Sequence, residues 1–273
     1  MKKIILVLIT IGFFTSCSEY QKVYNGKDLN AKYKLGWKYY EAKNYKKADM
    51  LFSQVDAFYK HKPSYQRLLF AHAMSLYNMK YYVSAGEKLR KFTRLFPEST
   101  KAEEAAYYIV KAYYNLSPKY TTDQSYTKRA IEEVQSFVKK YPYSKFKKEI
   151  NQINAELNDK LEHKDFDIAK KYYDLDYYKS AITALNNFLI DFPGSKYKEP
   201  ALYYRFLASG ELALKSVQRK KEDRLNQALG YYKNFKIKHP KSIYLEDADK
   251  MLKKLQKELA DMNKPATSLT AKK

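Results

Sequence analysis

Four times the chain repeats one pattern: Ala, six residues, Phe, three residues, an aromatic residue or His, then Pro-x-Ser. The copies are Ala85–Phe92–Phe96–Pro97–Ser99, Ala130–Phe137–Tyr141–Pro142–Ser144, Ala181–Phe188–Phe192–Pro193–Ser195 and Ala228–Phe235–His239–Pro240–Ser242. A weaker fifth copy lies upstream at Ala48, Phe52 and Val55. Self-similarity of this kind means a stack of equivalent units. It also narrows function, because stacked units of this kind hold partners on extended surfaces.

Each copy reads as the second helix of a helical hairpin. The Ala, an apolar residue four positions on (Phe52, Leu89, Val134, Leu185, Tyr232) and the Phe seven positions on share one helix face. Pro ends the helix because it cannot extend the hydrogen-bond ladder. The Ser two residues after Pro is the expected N-cap of the next helix. The first helices are equally readable. Leu35-Gly36-x-x-Tyr39 is followed by Tyr45 and Ala48, Ala169-x-x-Tyr172 by Tyr178 and Ala181, and Ala73 and Tyr82 precede Ala85 at the same offsets. Gly or Ala, an aromatic nine on and Ala twelve on resembles the tetratricopeptide (TPR) family over nearly all of residues 31–262. The resemblance implies an all-α fold, a TPR-type α-solenoid of about five hairpins. Two copies are stretched: Ala112 to Ala130 and Ala208 to Ala228 span 18 and 20 residues against 12 elsewhere, with additions near Pro118–Thr127 and Ser216–Arg224.

Two further apolar stripes complete the architecture. Phe146, Ile150, Ile153, Leu157 and Leu161, with few breakers before Asp174, predict one long connecting helix. Leu245, Ala248, Leu252, Leu255, Leu259 and Met262, opposite a Lys-rich face, predict a C-terminal capping helix. Residues 30–144 then hold repeats one to three. Residues 145–262 hold the connecting helix, repeats four and five and the cap, and 263–273 read as a disordered tail.

The front end is of another kind. Met1-Lys2-Lys3, an apolar run from Ile4 to Phe14, and Thr15-Ser16-Cys17 make a secretory signal over residues 1–16. The run is too short to span a bilayer, which takes about 20 residues. Cys17 is the sole cysteine, and Phe14-Thr15-Ser16-Cys17 looks like a lipobox with Phe in place of the commoner Leu; the alternative is an ordinary signal peptide with an incidental cysteine. An acylated Cys17 would hold the chain on a membrane, with residues 17–29 as its tether. Ser18 rather than Asp after the cysteine favours the outer membrane.

The net charge is +22, of which the signal segment carries only Lys2 and Lys3. Such a charge ordinarily points to nucleic acid or an anionic surface. The export signal and the even spread of the lysines argue against nucleic acid. What remains is a solvated helix surface, or attraction to an acidic partner or anionic lipid.

Many of the 29 tyrosines come in adjacent pairs, so one of a pair can enter the core while its neighbour faces a groove. In TPR proteins the concave groove is lined one and four residues after the small residue of the first helix, and three before it. Those positions here are Tyr33, Trp37 and Tyr40; Phe70, Met74 and Tyr77; Ile109, Tyr113 and Leu116. They would hold an apolar or aromatic peptide. The later repeats offer Phe166, Lys170 and Tyr173, then Arg205, Ser209 and Leu212, a more polar docking surface led by Lys170, Tyr173 and Arg205. The competing reading is that neighbouring hairpins bury the aromatics.

No catalytic constellation is visible. His61, His72, His163 and His239 lack metal-ligand spacing, and no Gly-rich phosphate loop occurs, so no metal, cofactor or small-molecule substrate is expected. Glu103-Glu104 and Glu132-Glu133 suit the positive ends of helices.

Lipobox, length, five hairpins, the repeated F-P-x-S, the opening Cys17–Val23 and the segment Tyr113–Gln124 together resemble the BamD family, of the Bacteroidota-type branch. BamD proteins are lipoprotein subunits of the outer-membrane β-barrel assembly machinery. The resemblance implies a non-enzymatic scaffold on the periplasmic face of the outer membrane. It further implies partners: a BamA-like barrel protein for the C-terminal half, and the C-terminal segments of unfolded outer membrane proteins for the N-terminal half. The alternatives are another periplasmic TPR adaptor or a glycan-binding lipoprotein of the SusD kind, which is much longer and carries large insertions.

Overall fold

A computed structural model describes residues 19–263, and every regular element among them is a helix. In chain order these are α1 (19–25), α2 (Leu29–Glu41), α3 (Tyr45–Tyr59), α4 (Tyr65–Asn78), α5 (Tyr82–Leu95), α6 (Ala102–Leu116), α7 (Ser125–Lys140), α8 (Lys147–Asp174), α9 (Tyr178–Asp191), α10 (Lys198–Leu214), α11 (Gln218–Lys238) and α12 (Leu245–Met262). The fold is TPR-type: α2–α3, α4–α5 and α6–α7 are successive hairpins, α8 pairs its later part with α9, and α10–α11 is followed by α12. The chain divides after Leu157 into two compact units. The signal segment, Cys17 and residues 264–273 lie outside the described residues.

The repeat positions are the core. Ala48, Ala85, Ala130, Ala181 and Ala228 are all buried, as are Val55, Phe92, Phe137, Phe188 and Phe235 and the intervening Phe52, Leu89, Val134, Leu185 and Tyr232. A small residue lets the paired helix approach, and the ring beyond fills the gap. Gly36 shows how close that approach is: a Cβ there would stand 2.7 Å from the Phe52 ring. Gly36→Ala is therefore expected to lower the unfolding free energy by about 1–2 kcal/mol, overpacking outweighing the gain in helix propensity. Thermal unfolding checks this; an unchanged or raised Tm contradicts it.

Three hairpins turn in the same way. At Lys43, Lys80 and Asp176 φ is 59°, 65° and 62°. Lys43 N–H donates to the Tyr40 carbonyl (2.9 Å) and Asn44 N–H to Tyr39 (2.8 Å), and the Tyr77/Leu76 and Tyr173/Tyr172 pairs repeat this. This is the Schellman arrangement, in which a left-handed residue satisfies the last helical carbonyls. The returning helix ends at the aromatic before Pro. Phe96, Tyr141, Phe192 and His239 share one non-helical conformation, at φ −134 to −126° and ψ 59 to 65°, outside the helical region that a following proline disfavours.

Two expectations are corrected here. Ser99, Ser144, Ser195 and Ser242 do not cap the first turn of the next α-helix. Each hydroxyl accepts the N–H two residues on, from Lys101, Phe146, Tyr197 and Tyr244, and each carbonyl accepts the N–H three residues on. The serine closes a lead-in turn that Pro makes necessary, because Pro starts the new direction without a donor of its own. The second correction concerns the tether. Residues 19–25 are not a free spacer but the packed helix α1. Tyr20 is buried, stacked on Tyr24 at 5.5 Å, set edge-on to Tyr39 at 5.5 Å, and covered by the Lys47 ammonium at 4.9 Å. Tyr20, Val23 and Tyr24 recur at helical spacing and seal Leu35 and Leu51.

The stripes fall where they were read. Ile150, Ile153 and Leu157 of α8 are buried within the first unit. Phe166 and Ala169 of α8 pack with Leu185, Phe188 and Ala201 in the second. In α12, Ala248 and Leu255 are buried together with Met251, which the stripe had missed.

Candidate functional site

The first unit holds a cavity of about 500 Å³ lined by Trp37, Tyr40, Pro63, Gln66, Arg67, Phe70 and Lys101, with Ala71 and Phe92 at its floor. It exists because α2 and α4 each turn a half-buried aromatic edge toward the same side. Trp37 packs edge-on against Tyr40 at 5.5 Å and Phe52 at 5.6 Å, and Phe70 edge-on against Phe92 at 5.4 Å. The Arg67 guanidinium lies 3.9 Å from the centre of the Trp37 ring, within cation–π range. Its one ion pair among the described residues, to Glu41 at 3.9 Å, is long and exposed, which leaves the guanidinium donors largely available. Lys101 stands 5.5 Å over Phe70 and pairs with Glu104 at 2.7 Å. The Trp37 indole N–H is buried and has no hydrogen-bond partner among the described residues. An apolar aromatic wall under two cations suits a flat ring joined to an anion.

The aromatic strip continues along the unit. Tyr77 meets Tyr82 at 5.4 Å and Tyr108 at 4.9 Å, and its hydroxyl accepts from Asn115 Nδ2 at 3.3 Å. Burial pushes the Tyr40 hydroxyl up to about 12, with Tyr45, Glu104 and Tyr108 adding to it. Beyond lies a triad: Tyr107 donates to Glu149 (2.6 Å) and Lys111 to the same carboxylate (2.9 Å). The Tyr107 hydroxyl and the Lys111 ammonium hold Glu149 below the usual carboxylate range. Burial and that carboxylate push Tyr107 up to about 12. These groups stay in fixed charge states across neutral pH, so they fit structural cross-linking better than proton transfer.

Of the groove residues read from the sequence, Trp37, Tyr40 and Phe70 come together at the cavity, and Tyr77 lies on the strip beyond. Tyr33 stacks instead on Tyr59 at 4.4 Å. Met74, Ile109 and Tyr113 are not exposed in a groove but buried in the core of the first unit. The Tyr113 hydroxyl takes a hydrogen bond from Arg90 and gives one to Glu87, both on α5. The reason is register. The addition between α6 and α7 breaks the spacing from which the small residue of α6 was counted. That helix turns Tyr108 and Asn115 toward Tyr77, where Tyr113 and Ile109 were expected. The sequence reading also missed Gln66, Arg67 and Lys101. Extending the Phe70 stripe one helical turn toward the N-terminus would have reached Gln66 and Arg67; Lys101 precedes its helix and follows no stripe.

In the second unit Lys170 and Tyr173 gather around Tyr204. Lys170 lies 5.1 Å over that ring and pairs with Asp174 at 2.6 Å, and Tyr173 meets the ring at 5.4 Å. Burial pushes the Tyr173 hydroxyl up to about 12. Arg205 points elsewhere: it donates to Asn186 at 2.9 Å and stacks 4.2 Å from the Tyr231 ring, its pKa lowered by burial. The three therefore do not form one cluster.

Among the described residues, no group of three or more His, Cys, Asp or Glu could hold a metal ion, and no helix is long and apolar enough to cross a membrane. The fold defines a helical-repeat protein of the TPR type. The family model for YfiO, outer membrane lipoprotein, matches residues 26–225 and again 162–266. The chain belongs to the YfiO family of outer membrane lipoproteins. It is similar, at 27% identity over 224 residues, to a protein of Aquifex aeolicus (strain VF5) that carries the provisional name outer membrane protein assembly factor BamD; the match covers 81% of this chain and 72% of that protein. Among solved structures it is similar to the TPR2AB domain of yeast Sti1 in its pHSP90 complex, at 16% identity and a TM-score of 0.40, covering 84% of this chain and 98% of the other. A likeness at that score carries no argument about this chain.

Proposed function

We propose that the chain is an outer-membrane protein assembly factor, lipid-anchored through Cys17 on the periplasmic face. In this reading it binds the C-terminal segments of unfolded outer membrane proteins in the first unit and a BamA-like barrel protein through the second. Family membership and the assembly-factor relative support the general role. The observation that carries the binding role is the cavity at Trp37, Tyr40 and Phe70 with Arg67 and Lys101 at its edge. A chain that ends in an aromatic residue offers a ring and a carboxylate a few ångströms apart. The wall takes the ring by apolar burial and edge contacts. Arg67 and Lys101 take the carboxylate, and the aromatic strip toward Tyr77 and Tyr108 accepts the residues before it. Lys170, Tyr173 and Arg205 are proposed as contacts for the barrel protein. The role is that of a scaffold and uses no cofactor.

The test is binding of two short peptides that end in the same aromatic residue, one as the free acid and one as the amide. Arg67 and Lys101 are exposed, so their Coulombic gain is modest. Amidation is expected to weaken binding about tenfold, the value of one charge-assisted hydrogen bond. Equal affinities, or no binding of either peptide, would refute the reading.

A further inference from the structure

Where α1 lies decides which edge of the first unit receives the membrane anchor, an inference that rests on the lipid-anchored reading above. Glu19 pairs with Lys38 at 3.7 Å, and Tyr20 contacts Tyr39, Met50 and Lys47. All four are within a turn or two of the α2–α3 connection. Val23 and Tyr24 pack against the cluster of Tyr20, Leu35 and Leu51, and residues 26–28 join the end of α1 directly to the start of α2. Helix α1 thus runs antiparallel to α2 with its N-terminus at the Lys43 turn. Only Ser18 separates Glu19 from Cys17 in sequence.

That edge is shared by the next hairpins. His72, in the second half of α4, bonds Asp49 at the start of α3 at 2.9 Å, and Asn115 at the end of α6 bonds Tyr77 at the end of α4. The α2–α3, α4–α5 and α6–α7 connections therefore line one side of the unit. Ser144 bonds Glu103 at the start of α6, which puts the α7–α8 connection on the opposite side. The α2–α3 and α4–α5 turns carry Lys43 and Lys80, and the first turn of α3 carries Lys46, all exposed and none in an ion pair among the described residues. Directly after Lys80, Tyr81 is 60% and Val83 46% exposed. Of the nearby acids, Asp49 bonds His72 at 2.9 Å, while Glu19 and Glu41 make long, exposed pairs with Lys38 and Arg67 at 3.7 and 3.9 Å.

We infer that this turn edge is a membrane-contact surface: it rests on anionic phospholipid, with Lys43, Lys46 and Lys80 against the headgroups and Tyr81 and Val83 at the interface. Cationic side chains beside an exposed tyrosine and valine match that boundary in charge and polarity. A basic patch next to an acyl anchor is the combination that makes attachment firm. Helix α1, packed onto the hairpin rather than hanging free, brings the anchor to that edge and fixes the unit's orientation on the bilayer.

With Cys17 acylated, a cysteine introduced at Ser84 or Tyr143 is the only free thiol. The full lipidated chain carrying a fluorophore at one of these positions is reconstituted on phosphatidylcholine vesicles with or without phosphatidylglycerol, and quenching by a headgroup-labelled lipid is read. The label at Ser84 is expected to be quenched on anionic vesicles and that at Tyr143 to be spared. The triple reversal K43E/K46E/K80E should abolish the difference, whereas K139E/K140E/K145E on the opposite edge should preserve it. Vesicle-bound protein with equal or no quenching at the two sites overturns the orientation while leaving the anchor intact. Protein that does not sediment with vesicles overturns both.

Discussion

Phe235→Ala is expected to remove about 3–5 kcal/mol from the second unit, and Phe92→Ala a value near the lower end of that range from the first. Both rings are wholly buried at the same repeat position, so chemistry and burial are matched and only surroundings differ. Phe235 is enclosed within its cluster, beside Tyr203 at 6.1 Å and His239 at 6.2 Å. Phe92 forms the floor of the cavity of about 500 Å³, so the space left by its ring joins a volume already open to water and traps no new void. Contacts run mainly between neighbouring helices, so the loss should stay local. Amide exchange would show protection falling in α10–α12 for Phe235→Ala and in α4–α5 for Phe92→Ala. Equal losses spread over both units, or a Phe235→Ala cost below about 1 kcal/mol, would contradict this account of the core.

The core could be read from the sequence because it is periodic. In every copy the Ala and the residue seven positions on (Val55, Phe92, Phe137, Phe188, Phe235) are buried, since the spacing that identifies a hairpin also dictates which face the next hairpin covers. The groove was legible only where that spacing is unbroken. In α2 and α4, counting from Gly36 and Ala73 reached Trp37, Tyr40 and Phe70; in α6 the same count failed at Ile109 and Tyr113, because with 18 residues from Ala112 to Ala130 in place of 12 the offset no longer marks the position to count from. Met74 failed for a different reason: it belongs to a continuous buried stretch from Leu68 to Leu76, interrupted only at Phe70, in which apolar character says nothing about direction. The cations escaped notice because Arg67 and Lys101 are two among 52 basic residues; only the ring beneath each one marks it. Helix α1 escaped because seven residues hold too little pattern to separate a docked turn from a spacer, and its burial depends on Tyr39 and Lys47 being in place to receive Tyr20.

Trp37→Ala is expected to weaken binding of a peptide ending in an aromatic acid by about 30-fold, the loss of a central tryptophan worth about 2 kcal/mol. That variant alone does not separate recognition from folding, since Trp37 also packs on Phe52 and Tyr40. Arg67→Ala separates them. The Arg67 side chain is 67% exposed, held by the long pair to Glu41 and its stacking over Trp37, so its removal should leave Tm within a few degrees, as surface substitutions do. It should still cost the acid peptide about tenfold, through the lost carboxylate contact. The amide peptide lacks that contact, and its affinity should change little. The two peptides and two proteins form a double-difference cycle, and the coupling of Arg67 to the terminal carboxylate is its result. If Arg67→Ala weakens acid and amide equally, the guanidinium does not read the chain end. If Trp37→Ala binds both peptides as well as the unaltered chain while keeping its helical content, the cavity is not where they bind.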